Sequence, residues 1–234
     1  MLVTFSEIWW QLVILAVCSY AIGNINFALI ISRFNHNDVR KLGSGNPGTL
    51  NMSRNFGLKI GGLTLLLDMI KGGVPSLIGF LIMKNSFIGD FNMGDFARFL
   101  CGFMVIVGHI FPVTLNFKGG KGIASTLGVF LFSQPLVASI ILLLTFLYIY
   151  VSEWGSMGSL LGVSGLSIFQ MIIYYNKYSV LGISNEFLNA SYLLIFAMCF
   201  LTWFAHRKNI IKLLAGEEHH TSVKALSKKK NKPL

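Results

Sequence analysis

At 234 residues, 54% hydrophobic and 12% charged, with a mean hydropathy of +0.67, the chain carries about half the charged fraction of a soluble domain. That composition excludes a soluble enzyme, and it excludes a soluble nucleic-acid module despite a net charge of +10. The charge is clustered: eight of the 19 Lys/Arg follow His206 and five lie between Arg33 and Lys59, as in membrane proteins that obey the positive-inside rule.

The first apolar run, 8–31, follows an acidic start and is long enough to span a bilayer, so it reads as a retained span. Further spans are predicted at 60–83, 96–117, 136–151, 157–175 and 190–205. A short helix is predicted at 123–132, because Ser133-Gln134-Pro135 interrupts an apolar stretch too long for one span. The expected fold is an all-α polytopic membrane bundle of about seven transmembrane helices, the short one included. A short interfacial helix is expected near 49–57.

Seven crossings put the amino terminus outside. Segments 32–59, 116–122 and 152–156 and the carboxy terminus then face the cytoplasm, which holds 15 Lys/Arg against Lys84, Arg98 and Lys177 outside. Residues 1–218 are expected to form one membrane-embedded domain. Residues 219–234 read as a basic, disordered cytoplasmic tail resting on anionic membrane lipids. Cys18, Cys101 and Cys199 lie in apolar runs without metal-ligand spacing, so neither a metal nor a disulfide is expected.

Three elements carry chemistry. Gly43-Ser44-Gly45-Asn46-Pro47-Gly48 reads as a tight turn whose hydroxyl, amide and backbone donors suit phosphate oxygens, with Asn51 and Arg54 following on a helix. Its bland alternative is a turn whose polar groups satisfy one another. Next, Gly108-His109-Ile110-Phe111-Pro112 leads into Phe117-Lys118-Gly119-Gly120-Lys121-Gly122. This lacks the Walker A spacing, but it opens the short helix, whose free N–H groups add to the lysines as an anion site. The alternatives are a packed histidine and a flexible basic turn. Third, His206 and Asn209 share a helical face at the boundary, where an imidazole beside an amide can position a substrate hydroxyl; helix-ending boundary residues are the alternative. Asp68 and Lys71, three apart inside a span, read as a structural ion pair.

Together and in this order these elements resemble the bacterial acyl-phosphate:glycerol-3-phosphate acyltransferase family. The likeness runs to about Glu218. It rests on the Gly43-to-Arg54 run, Asp68-Met69-Ile70-Lys71-Gly72, the two glycine-loop motifs, His206-Arg207-Lys208-Asn209-Ile210 and Gly216-Glu217-Glu218. The resemblance implies acyl transfer from acyl phosphate to the 1-hydroxyl of glycerol 3-phosphate, giving lysophosphatidic acid and inorganic phosphate. It implies no cofactor, and no acyl carrier protein or coenzyme A as donor.

By the same resemblance, Gly43, Ser44, Gly45, Asn46 and Gly48 hold the acyl phosphate, with His109 in the same pocket. Arg54, Lys118, Ser156, His206 and Asn209 surround glycerol 3-phosphate, Gly119, Gly120 and Gly122 shape the loop, and Glu218 is structural; Lys121, within that loop, is a further substrate-binding candidate. The chain departs from the family pattern at Thr49-Leu50, Glu153-Trp154-Gly155 and Ala205, which bears most on Ser156. A phosphate or organophosphate transporter with a re-entrant glycine loop is the rival reading. A transporter places its charged site near the midplane, whereas these motifs gather at one face. A non-catalytic lipid-binding scaffold is a further alternative.

Overall fold

The computed structural model describes residues 1–218; the basic tail 219–234 lies outside the described residues. Helix α1 (Phe5–Gly23) opens on a Thr4/Glu7 capping box. A break at Asn24-Ile25-Asn26 separates it from α2 (Phe27–Phe34), where the sequence predicts one continuous span. The break holds because its polar groups are satisfied. The Asn26 side chain accepts from Leu29 N–H (2.9 Å), and the Asn24 amide donates to the Tyr20 carbonyl (2.7 Å).

Helix α3 (Thr49–Phe56) is the predicted short helix. Six stretches are long and apolar enough to cross a membrane, among them α1–α2 together, α4 (Leu58–Met83), and α5 (Met93–Ile110) with its following turn. The others are α7 (Pro135–Ser152), α8 (Gly155–Val180) and α9 (Glu186–Ala205). The seventh, α6 (Ile123–Ser133), has 11 residues and rises roughly 16 Å, about half a hydrocarbon core. A last helix, α10, covers Arg207–Leu214.

The predicted span 96–117 runs too far. Helix α5 stops at Ile110, ahead of Pro112, because its last carbonyls are taken by the glycine loop that follows. A two-stranded hairpin, β1 (Phe87–Ile88) with β2 (Phe91–Asn92), extended by a parallel bridge from Leu2 to Phe87, departs from an otherwise helical fold among the described residues.

Packing follows burial. In the most apolar stretch of α5, 61% of residues are buried, against 17% in α7, so α5 is central and α7 lies at the periphery with Leu136, Leu143 and Val151 turned outward. Helix α6 packs most extensively on α4. A Cβ on Gly128 would fall 1.9 Å from the Met69 carbonyl oxygen, so the two backbones touch. Gly128→Val must therefore force α6 off α4. It is expected to lower the melting temperature in detergent by about 5 °C, as overpacking costs of 1–3 kcal/mol translate for a chain of this size.

Two ends of the bundle emerge. The Met1 amino group donates to the Asn85 carbonyl (2.8 Å) and the Asn185 amide to the Ile88 carbonyl (3.1 Å), which ties the amino terminus, the hairpin and the α8–α9 link together. At the opposite end a small second core of Ala28, Leu29, Val39 and Met52 takes in Leu115, and so joins α2, α3 and the loop after α5.

Candidate active site

Both glycine-rich segments lie at that opposite end, and in both the backbone is turned inward. In the first, the Asn51 amide donates to the carbonyls of Val39 (3.2 Å) and Leu42 (2.9 Å), while its oxygen accepts from Ser44 N–H (3.2 Å). Asn51 is 2% exposed, so it acts by setting the loop and not from its surface. Gly43 sits at φ +54°, and a Cβ there would meet the Asn51 oxygen at 2.5 Å. Gly45 N–H donates to the Leu42 carbonyl and Gly48 N–H to the Asn46 carbonyl. With those N–H groups used, the exposed Ser44 hydroxyl is left as an outward donor.

In the second segment, Gly119 N–H donates to the Ile110 carbonyl (3.1 Å) and Gly120 N–H to the His109 carbonyl (3.0 Å). The sequence suggests that these amides converge on an anion; the fold instead uses them to close the end of α5. The amides without a backbone partner in the helix come later. The first N–H bond within α6 is that of Thr126 to the Gly122 carbonyl, so the N–H groups of Ile123 to Ser125 stand at a free helix N-terminus beside Lys121. Lys118 is exposed and makes no side-chain bond among the described residues.

The polar centre forms around Asn209 on α10. Its oxygen accepts from Lys121 Nζ, and its amide donates to Ser156 Oγ at the start of α8 (2.9 Å) and to Glu218 Oε1 (3.2 Å). Three distant segments thus meet on one side chain. Ser156 takes its place there despite the altered Glu153-Trp154-Gly155 before it. Glu218 sits inside the cluster as its carboxylate, facing Lys121 and Arg54.

His206, 3% exposed, joins α9 to α10. Its Nδ1 donates to the Thr202 carbonyl (2.7 Å), which leaves Nε2 as the acceptor. Burial first, and then the nearby Lys121 ammonium, bring the His206 pKa down to about 4 against the opposing Thr202 bond. The ring is therefore neutral at pH 7. Lys121 is lowered to about 8, first by burial and then by Arg54 and Lys212, with Glu218 opposing. Burial also lowers Arg54, against the pull of Glu218, but a guanidinium keeps its charge.

The structure therefore brings Arg54, Lys121, Ser156, His206, Asn209 and Glu218 together. Ser44 and Asn46 stand at the same end, linked to the helix of Arg54 through Asn51. His109 lies beneath the glycine loop, 5% exposed. Sequence reasoning missed the Thr202 carbonyl; its only signal is its place four residues before His206. It also missed that Asp68 faces His109 as well as Lys71. The arrangement offers cations and amide donors for phosphate, and a neutral imidazole for a hydroxyl.

Comparison with known proteins points to one family. The family model described as glycerol-3-phosphate acyltransferase matches residues 13–216. A glycerol-3-phosphate acyltransferase of Finegoldia magna is 36% identical over 208 residues, covering 88% of this chain and 94% of that one. One of Desulfotalea psychrophila is 38% identical over 206 residues, covering 88% and 95%. The crystal structure of PlsY (YgiH), an integral membrane glycerol 3-phosphate acyltransferase, in its glycerol 3-phosphate form, superposes with a TM-score of 0.76. It is 28% identical and covers 90% of this chain and 95% of that one. Its lysophosphatidic acid form gives a TM-score of 0.74 at 27% identity, with the same coverage.

Proposed function

Because the chain belongs to the glycerol-3-phosphate acyltransferase family, we propose a specific division of labour at the site and acyl phosphate as the donor. Membership sets aside the transporter reading. The observation that carries the proposal is the meeting of Lys121, Ser156 and Glu218 on Asn209, with neutral His206 three residues away on the chain.

Arg54, Lys118 and Lys121 take the phosphate of glycerol 3-phosphate, with Ser156 and Asn209 fixing its orientation. The turn 43–48 takes the donor phosphate through Ser44 and Asn46, and the N-terminus of α6 adds its dipole. Two anionic substrates repel each other, so holding them together is the main task, and the cations at this end do it. The 1-hydroxyl oxygen attacks the acyl carbonyl carbon, and the bond from that carbon to the phosphate oxygen breaks. Phosphate leaves with the electron pair. Nε2 of His206 accepts a hydrogen bond from the hydroxyl and aims it. With a pKa of about 4 it is a weak base, so the proton passes to a phosphate oxygen, whose basicity rises as the acyl bond breaks. Apolar surfaces between helices receive the acyl chain.

Residues 1–218 act as one acyltransferase unit in the cell membrane, with the site cytoplasmic and the amino terminus outside. Among the described residues, ten Lys/Arg on the site's side against three on the other support this. Labelling of single cysteines at positions 44, 118 and 208, all exposed, from one side only checks it.

The deciding experiment offers the purified chain in detergent either acyl phosphate, with phosphate release followed, or acyl carrier protein and coenzyme A thioesters, with thiol release followed. Release is expected only with acyl phosphate and glycerol 3-phosphate together. Equal release without glycerol 3-phosphate overturns acyl transfer, and turnover with a thioester overturns the donor.

The pH profile carries a sign. Lys121 binds anions only when protonated, so kcat/KM for glycerol 3-phosphate is expected to fall as pH rises through about 8. The matching limb of kcat lies higher, because bound phosphate stabilises the ammonium. On the acid side the substrate dianion gains a proton near about 6, before His206 is charged, so that limb follows the substrate.

A further inference from the structure

Beneath the glycine loop lies a buried polar cluster that the reaction above does not use. Lys71 Nζ is 3.0 Å from Asp68 Oδ1, one helical turn away on α4. The same ammonium donates to the Ile25 carbonyl (2.6 Å), in the break between α1 and α2, and lies 5.7 Å from the centre of the Phe27 ring. From α5, His109 Nδ1 stands 3.9 Å from that same Asp68 oxygen and has no hydrogen-bond partner among the described residues. The three side chains are 2%, 3% and 5% exposed.

The cluster is more than an ion pair. A lone charge at the centre of a membrane helix costs about 2.5–3.5 kcal/mol on insertion scales, which accounts for Asp68 and Lys71 pairing. It does not account for a third polar ring turned on the same carboxylate. His109 also meets the loop twice. Its carbonyl accepts from Gly120 N–H, and its Nε2 lies where a Cβ on Gly120 would fall, 2.1 Å away. The next residue is Lys121, whose ammonium reaches Asn209.

We propose that Asp68, Lys71 and His109 are positioning residues, which set the glycine loop at the height where Lys121 meets Asn209. Lys71, anchored on Ile25, holds the Asp68 carboxylate in place. That carboxylate attracts the Nδ1 edge of His109 and so turns the Nε2 edge to Gly120. Buried beneath the loop, the three act without touching substrate, which moves His109 out of the acyl phosphate pocket where the family resemblance puts it. The inference rests on the acyltransferase reading, and its test separates the two.

The full chain in detergent is compared with Asp68→Asn, His109→Gln and the double variant. Glycerol 3-phosphate binding is measured by calorimetry, and turnover by phosphate release from acyl phosphate. Each single change is expected to weaken glycerol 3-phosphate, in KM and in calorimetric Kd, by about tenfold or more, as a small misplacement of a binding group does. The KM for acyl phosphate stays within about twofold, and the double variant is no worse than the worse single, because both act through one ring. In 15N-histidine spectra, Asp68→Asn shifts the His109 ring signals and, because the Lys121 ammonium beside His206 moves with the loop, those of His206 as well. Unchanged glycerol 3-phosphate binding, additive effects, or equal loss of both substrates in step with melting temperature overturns the proposal. If Asp68→Asn does not fold, the uncharged pair Asp68→Asn/Lys71→Met takes its place under the same criteria. A wild-type chain that binds glycerol 3-phosphate but does not turn over acyl phosphate refutes the donor and leaves the calorimetric test of positioning intact.

Discussion

Replacing His206 with alanine is expected to lower kcat by about 10²-fold, the order of loss when a reacting group is no longer held in its attacking geometry. The ring is buried and fixed at Nδ1 by the Thr202 carbonyl, so Nε2 points one way without further ordering. Alanine removes that acceptor and opens a cavity beside Lys121. The KM for glycerol 3-phosphate should change less than kcat, because its phosphate is held by the cations. His206→Gln can place an amide group near the position of Nε2, and should recover part of the rate. Steady-state phosphate release, with a melting curve for each variant, checks this. If His206→Ala turns over like the wild type, the hydroxyl is aimed by another group. If both variants lose stability and rate in parallel, the ring serves the fold only.

Gly120→Ala is the second large effect. A methyl there would stand 2.1 Å from Nε2, 2.9 Å from Cε1 and 3.1 Å from Cδ2 of His109. The obstacle is a buried ring beside Asp68, not the free end of a long side chain, so the loop must yield. Since Lys121 is the next residue, its ammonium is carried away from Asn209. A displacement of about 1 Å in a binding group costs on the order of 100-fold in rate, and that is the loss expected in kcat/KM for glycerol 3-phosphate. Gly62→Ala is the control. No atom lies within 4 Å of its Cβ position and it sits in a helix, so activity and melting temperature should be unchanged or slightly raised. Gly120→Ala with full activity would show that the loop has slack and that its packing on His109 does not set Lys121.

Both predictions depend on contacts between residues far apart in sequence, and this is where reading the chain alone stops. Span positions were legible because lipid imposes a simple rule: a helix crosses where about 20 residues are apolar, and Pro135 and the charged links mark the ends. The short α6 was legible for the same reason, since Ser133-Gln134-Pro135 leaves too few residues for a full crossing. The break in α1–α2 was not. Asn24-Ile25-Asn26 is only mildly polar, and beside its own local bonds it relies on the Lys71 ammonium on the Ile25 carbonyl, 46 residues away. The end of α5 was overshot likewise, because apolar Phe111 and Val113 carry no sign that Gly119 and Gly120 will take the last carbonyls.

For the site, the sequence alone determined the inventory of chemical groups and the end of the bundle where they gather, because residue type and charge bias are local properties that a membrane sorts by side. Tertiary structure alone decided what each group does. It turned the amides of Gly119 and Gly120 inward, gave Asn51 to the loop backbone, set Ser156, Lys121 and Glu218 on Asn209, and placed His109 under the loop. The physical reason is that hydrogen bonding is directional and exclusive. A donor can serve either the backbone or a ligand, and only the packed arrangement fixes which partner stands within reach.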